Sequence, residues 1–320
     1  MPEPALAAQI TPMENVPWGA PLALYFTLIG LPSGLTLILW WRAARPATAA
    51  VPGASPGGGG GEGWRLDWRA HWTVLALLTA AGALLVTDLG RPERFFLMLT
   101  AFGNWDSPIS LGAKLIAVKS ALLALALYLL WDLLWARRRA AGPGGGPLPA
   151  ARGPARAVDR ALPWLLGAAS AALAVYPAAV LARTWVSPLA ATPGAALLYL
   201  LTALLMGGAA VQLLLLWPPG GAAAEDPARR RFTLGLLTVY AAALFFAGIS
   251  VADGTPARES LDALLNGGWS ALFYGGVLGA GLLLPLLTLG LAGRRRWAQP
   301  AAAVGVLAGA CALRFLIFAA

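Results

Sequence analysis

The run Asp88-Leu89-Gly90-Arg91-Pro92-Glu93-Arg94-Phe95-Phe96 sets four charges directly behind an apolar stretch, in a chain with only 12% charged residues. Charge at such a place is costly unless it is paired or used. Asp88 ends the apolar stretch, and Gly90 permits a helix break ahead of Arg91-Pro92. Two readings follow: a salt-bridged helix terminus, or a polar rim for a headgroup that accepts a hydrogen bond from Arg91 and exchanges protons with Asp88. Tyr25 and Tyr176 each lie a few residues inside the end of an apolar run. Their hydroxyls suit a quinone carbonyl while their rings pack against it, and tyrosines so placed also serve as interfacial belt residues. Glu14, Lys114, Arg183, Asp253 and Arg258 sit beside other apolar runs. Lys119 lies deeper, roughly 12 Å below the start of its run at about 1.5 Å per residue. An intramembrane cation marks a pathway or a site, but a lysine can also snorkel or pair structurally. Asp132 and His71 lie near arginines and read as solvated or ion-paired.

These residues need a scaffold, and composition defines it. With 59% hydrophobic residues, a mean hydropathy of +0.70 and repeated apolar runs of about twenty residues, the chain reads as an all-α, multi-pass membrane protein. The net charge of +9 does not point to nucleic acid, because the arginines form short clusters between apolar runs rather than one basic face. Cys311 is the only cysteine, which rules out an internal disulfide framework and an iron–sulfur or zinc site built by this chain alone. His71 is the only histidine, so the chain cannot supply two axial histidines to a haem. Glu3 and Glu14 lie in the first eighteen residues without any basic residue, so the tail lacks a signal peptide's positive start and is expected to be retained.

Eight membrane-spanning helices are expected, at about 19–41, 70–88, 110–135, 161–182, 193–217, 231–252, 268–291 and 300–318. Residues 52–63 and 142–154, rich in glycine and proline, read as flexible linkers. Most basic residues fall in the odd-numbered connectors: Arg42, Arg45, Arg65 and Arg69; Arg137 to Arg139 with Arg152, Arg156 and Arg160; Arg229 to Arg231; and Arg294 to Arg296. The positive-inside rule places these connectors in the cytoplasm, and both termini and the Asp88 run on the outer side. Tryptophans cluster at the span ends, with Trp40, Trp41, Trp72, Trp131, Trp135, Trp164, Trp217 and Trp297 inside and Trp18, Trp105, Trp185 and Trp269 outside. Setting the first span on the fifth aligns Leu24-Tyr25 with Leu198-Tyr199 and Ser33-Gly34 with Gly207-Gly208. The alignment is either chance similarity between Leu/Ala-rich helices or a repeat. A repeat predicts two four-helix bundles in one orientation: residues 1–18 as an outer tail, 19–182 as the first bundle and 193–320 as the second.

Trp18 to Gly34 (WGAPLALYFTLIGLPSG), Asp88 to Gly112 (DLGRPERFFLMLTAFGNWDSPISLG) and Tyr176-Pro177 ahead of Arg183 resemble the NrfD family, which includes the membrane subunit of polysulfide reductase. The match is strong over the first four spans and mainly one of pattern over the last four. The resemblance implies a haem-free membrane anchor that exchanges electrons between the quinone pool, menaquinone or ubiquinone, and an extracytoplasmic ferredoxin-like iron–sulfur subunit. A catalytic subunit, often carrying molybdopterin, would complete the complex. It also implies residence in the bacterial cytoplasmic membrane and no haem, cluster or metal in this chain. Some members carry a histidine in the first span near the quinone, where this chain has Tyr25. Glu14, Trp18, Tyr25, Asp88, Arg91, Lys114, Tyr176 and Arg183 are then expected around one outer quinone pocket, with Asp88 and Arg91 at its chemistry. Coupled proton movement through Lys119 is a further expectation. The rival reading is a secondary transporter or ion-translocating subunit, supported by Lys119 and the repeat; it lacks the paired discontinuous helices of many such folds, although Pro32 and Pro285 could break two spans.

Overall fold

The structure, a computed structural model, describes residues 20–44, 60–88, 108–140, 154–184, 187–216, 227–292, 295 and 297–319. Among these residues every regular element is helical, as a chain in lipid requires when each segment must satisfy its own backbone. The order is α1 (Ala20–Ala44), α2 (Gly60–Asp88), α3 (Pro108–Ala140), α4 (Pro154–Thr184), α5 (Pro193–Leu216), α6 (Pro227–Ile249), α7 (Pro256–Asn266), α8 (Leu272–Leu291) and α9 (Ala298–Ala319). All but α7 are long and apolar enough to cross a membrane, which gives eight such helices among the described residues, each within a few residues of its expected span.

Proline starts α3, α4, α5, α6 and α7, where its missing N–H would have had no intrahelical partner. The sequence reading did not anticipate α7, an 11-residue amphipathic helix capped by Thr255, which accepts from the Arg258 backbone N–H. Helix α1 runs unbroken through Pro32, whose carbonyl accepts from Thr36 Oγ1 at 2.8 Å. Pro285 lies where α8 changes pitch, from π-helix over Leu272–Leu283 to α-helix over Leu284–Leu291. Neither proline therefore splits its span into the two half-helices found in many transporters.

The packing order recurs in the two halves of the chain. The spans of α1, α4, α5 and α9 are 72%, 56%, 67% and 61% buried, whereas α2, α3, α6 and α8 reach only 17% to 33%. The first and fourth spans of each half thus form the centre, and the second and third face outward. The broadest contact joins α1 to α5. Small residues make it: Ala203 and Gly207, four apart on α5, meet Gly34 on α1, and a Cβ on Gly34 would overlap the Ala203 carbonyl. Lipid gives apolar side chains no reason to prefer protein, so close backbone approach of this kind drives association. Gly281 of α8 and Gly309 of α9 repeat the device.

Ring contacts tie the helix ends. Trp40 meets Trp164 at 5.1 Å, Trp41 stacks on Phe232 at 4.5 Å and Trp68 lies 5.9 Å from Trp131. These join the C-terminal ends of α1 and α3 to the N-terminal ends of α2, α4 and α6, all on one side of the bundle. Trp269 meets Phe315 at 5.5 Å at the other side.

Candidate functional site

The side of the bundle that carries the start of α1, the start of α3 and the end of α4 gathers polar groups in an apolar surround. Tyr25 stands two turns into α1 and is 3% exposed, and its hydroxyl has no hydrogen-bond partner among the described residues. Such an orphan is uncommon in folded proteins, and its donor suits a bound acceptor. Tyr176 of α4 is also buried, and its hydroxyl is near enough to that of Tyr25 to interact electrostatically. It lies over Gly112 of α3, where any Cβ would overlap the phenol oxygen. Gly112 therefore gives the Tyr176 hydroxyl its place. Ser110 and Lys114, one turn apart on α3, are buried on either side of Gly112. Two buried phenols, a buried hydroxyl and a buried lysine thus lie toward one end of the bundle.

The other expected members divide. Asp88 is the last residue of α2, and Arg183 is exposed in the last turn of α4. Glu14, Trp18 and Arg91 lie outside the described residues. Tyr25, Lys114 and Tyr176 are thus the expected residues found buried at this end, on three different helices. The donor set fits a quinone: an unpaired phenol beside a second phenol offers hydrogen bonds to carbonyl oxygens, and buried apolar neighbours suit a ring.

The polysulphide reductase, NrfD family model matches residues 9–320, nearly the whole chain. The chain belongs to the NrfD family. It is accordingly a multi-pass membrane protein of a family of membrane subunits in quinone-linked oxidoreductase complexes. No curated protein matches it.

Two further cations lie inside this NrfD chain. Lys119 of α3 is fully buried and donates to Ser33 Oγ at 3.3 Å, while Ser33 donates to the Ile29 carbonyl at 2.6 Å. Its burial rules out snorkelling. Measured from Pro108, it lies about 16 Å along α3 at about 1.5 Å per residue. Asp132 is exposed. His71 Nδ1 is 2.6 Å from the Asp67 carbonyl, so Nδ1 carries the proton.

The sequence reading passed over Arg314. It is 1% exposed, and its guanidinium donates to the Phe26 carbonyl of α1 at 2.7 Å, to the Tyr199 carbonyl of α5 at 2.8 Å and to Thr202 Oγ1 at 3.1 Å. It also lies 5.0 Å from the centroid of the Tyr199 ring. No carboxylate pairs with it among the described residues. An arginine within the last apolar run was a visible signal, since intramembrane charge is rare.

Proposed function

We propose that this NrfD-family chain is the haem-free, quinone-interacting membrane anchor of a respiratory oxidoreductase in the bacterial cytoplasmic membrane. It passes electrons between menaquinone or ubiquinone and an extracytoplasmic ferredoxin-like iron–sulfur subunit, which in turn serves a catalytic subunit of the molybdopterin-containing kind. Both termini face outward in this reading, as the basic connectors require. The observation that carries it is the buried Tyr25 hydroxyl, with no hydrogen-bond partner among the described residues, beside Tyr176 in a chain of this family.

A bound quinone supplies two-electron, two-proton redox chemistry that none of the twenty side chains can. The chain's own residues bind, orient and handle protons. Tyr25 donates a hydrogen bond to a carbonyl oxygen, and Tyr176, seated over Gly112, fixes the ring's orientation. Lys114 and Arg183 favour negative charge near the oxygens, and Glu14 and Trp18 are assigned to the same site. Arg91 donates a second hydrogen bond, and Asp88 exchanges the proton with the outer water.

Lys119 belongs to the same reading as a proton-holding group deeper in the membrane, with Ser33 as its partner. That buried cation is also what favours the second reading, an ion-translocating subunit. Solute or ion uptake by the chain alone in vesicles would support that second reading, and co-isolation with an iron–sulfur protein supports the first.

The test is subunit-dependent quinol oxidation in membranes. Asp88→Asn is expected to lower turnover about 100-fold, the lower range for loss of a proton-transfer group, and Arg91→Ala to weaken quinone affinity about 10-fold or more, as for loss of a charged hydrogen-bond donor. If both variants keep turnover and quinone affinity, the proposed chemistry at this site is wrong.

A further inference from the structure

Arg314 belongs to the last helix, yet its guanidinium sits against the first. Its place there has been cleared: a Cβ on Gly30 would overlap Nη1 and Cζ, so only glycine at this position leaves room for the fork. The fork then bridges two helices that come from different halves of the chain, with Nη1 on the Phe26 carbonyl of α1 and Nη2 on the Tyr199 carbonyl of α5. One turn further along α9, Phe318 meets the Phe26 ring at 6.5 Å. Helix α9 therefore grips Phe26 by backbone and by side chain. Phe26 is the residue that follows Tyr25, and their rings lie 5.6 Å apart.

A guanidinium is an unfavourable way to hold helices together if stability is all that matters. Burying one costs several kcal/mol, and apolar residues of similar volume often replace a buried ion with no loss of stability. What the fork adds is direction: planar, charge-assisted donors fix two carbonyls relative to each other, which neither a methyl group nor the point charge of lysine can do.

From this geometry we infer that Arg314 is a positioning residue for the quinone pocket, holding the Phe26 carbonyl of α1 so that the adjacent Tyr25 hydroxyl meets its acceptor. The second half of the chain thereby sets the geometry of a site built from the first. The inference rests on the quinone reading of Tyr25, and the test separates the two.

The full chain in lipid nanodiscs is titrated with short-chain menaquinone and ubiquinone analogues, using whichever the unmodified chain binds more tightly, and its thermal stability is measured in the same samples. Arg314→Lys keeps the charge and loses the fork; Gly30→Ala keeps every charge and displaces the fork. Each is expected to weaken binding about fivefold or more, since small displacements of a positioned group are costly. Gly309→Ala is the matched control, because it crowds α9 against Gly281 of α8 and leaves the α1 contact alone. It is expected to lower thermal stability while moving the dissociation constant by no more than about twofold, the usual limit of coupling between separate sites. If affinity falls in step with stability across all three variants, or is unchanged in Arg314→Lys and Gly30→Ala, the positioning role is refuted. Should Arg314→Lys not fold, Gly30→Ala decides alone. Tyr25→Phe is measured in parallel: weakened binding there with none in the Arg314 and Gly30 variants refutes positioning only, whereas unchanged binding in Tyr25→Phe removes the quinone reading and this inference with it.

Discussion

Tyr25→Phe removes a single oxygen and is expected to stabilise the chain while weakening its hold on quinone. The ring stays, so the packing of a side chain that is 3% exposed is preserved. The hydroxyl that leaves is buried with no hydrogen-bond partner among the described residues, and leaving such a group unsatisfied costs about 1–3 kcal/mol. Its removal should therefore raise stability by about 1 kcal/mol, the low end of that range. With quinone bound, the same hydroxyl makes a hydrogen bond worth about 0.5–1.5 kcal/mol net, and because binding also relieves the cost of about 1 kcal/mol in the unbound chain, its loss should weaken affinity by about 1.5–2.5 kcal/mol, or about 12- to 60-fold at about 1.4 kcal/mol per decade. Ser170 on α4 provides the control, because its hydroxyl is also buried with no hydrogen-bond partner among the described residues. Ser170→Ala should gain stability and leave affinity unchanged. The assay is quinone-analogue titration in nanodiscs together with thermal denaturation at one fixed scan rate, since unfolding of such a chain is not expected to reverse. A loss of stability in Tyr25→Phe would show that the hydroxyl already has a partner, and an unchanged dissociation constant would show that it does not hold the quinone.

Gly34→Ala drives a methyl group into the Ala203 carbonyl at the α1–α5 seam and should cost about 1–3 kcal/mol as overpacking. Gly208→Ala, with nothing within 4 Å of its Cβ, should be neutral or gain up to about 1 kcal/mol from helix propensity; thermal shifts of the two variants check the seam. Lys119→Met should abolish proton translocation in proteoliposomes while quinol turnover continues, as read by a pH-sensitive dye and by quinol absorbance together. If translocation survives, Lys119 serves packing alone. Affinity purification of the tagged chain from its native membrane should bring down an iron–sulfur protein with ferredoxin-like optical bands, and recovery of the chain alone from gently solubilised membranes would count against the anchor role.

The eight spans were legible because lipid allows the backbone few alternatives: about twenty apolar residues must appear together, whatever the neighbours do. Helix α7 was not, since its 11 residues alternate charge and leucine between two spans and read as connector. Which helices lie at the centre was hidden for a different reason. A lipid-facing leucine such as Leu283 and a protein-facing one such as Leu173 are equally apolar, so hydrophobicity carries no inward direction in a membrane. The clue lay in small residues, with Ala203 and Gly207 spaced four apart on α5. At the candidate site, residue type identified Tyr25, Tyr176 and Lys114, which three helices carry to one buried end. Arg314 was overlooked because the basic residues were sorted by connector, and it sits in none. Its role depends on a contact with Phe26, 288 positions away in sequence, that no local pattern encodes.

The central claim is that a quinone binds among α1, α3 and α4. Photolabelling of the native complex with an azidoquinone, followed by peptide mapping, tests it most directly. Labels that are competed by unlabelled quinol should fall on peptides containing Tyr25, Gly112 or Tyr176. Competed labels confined to α6, α8 or α9, or no competed label at all, would contradict it.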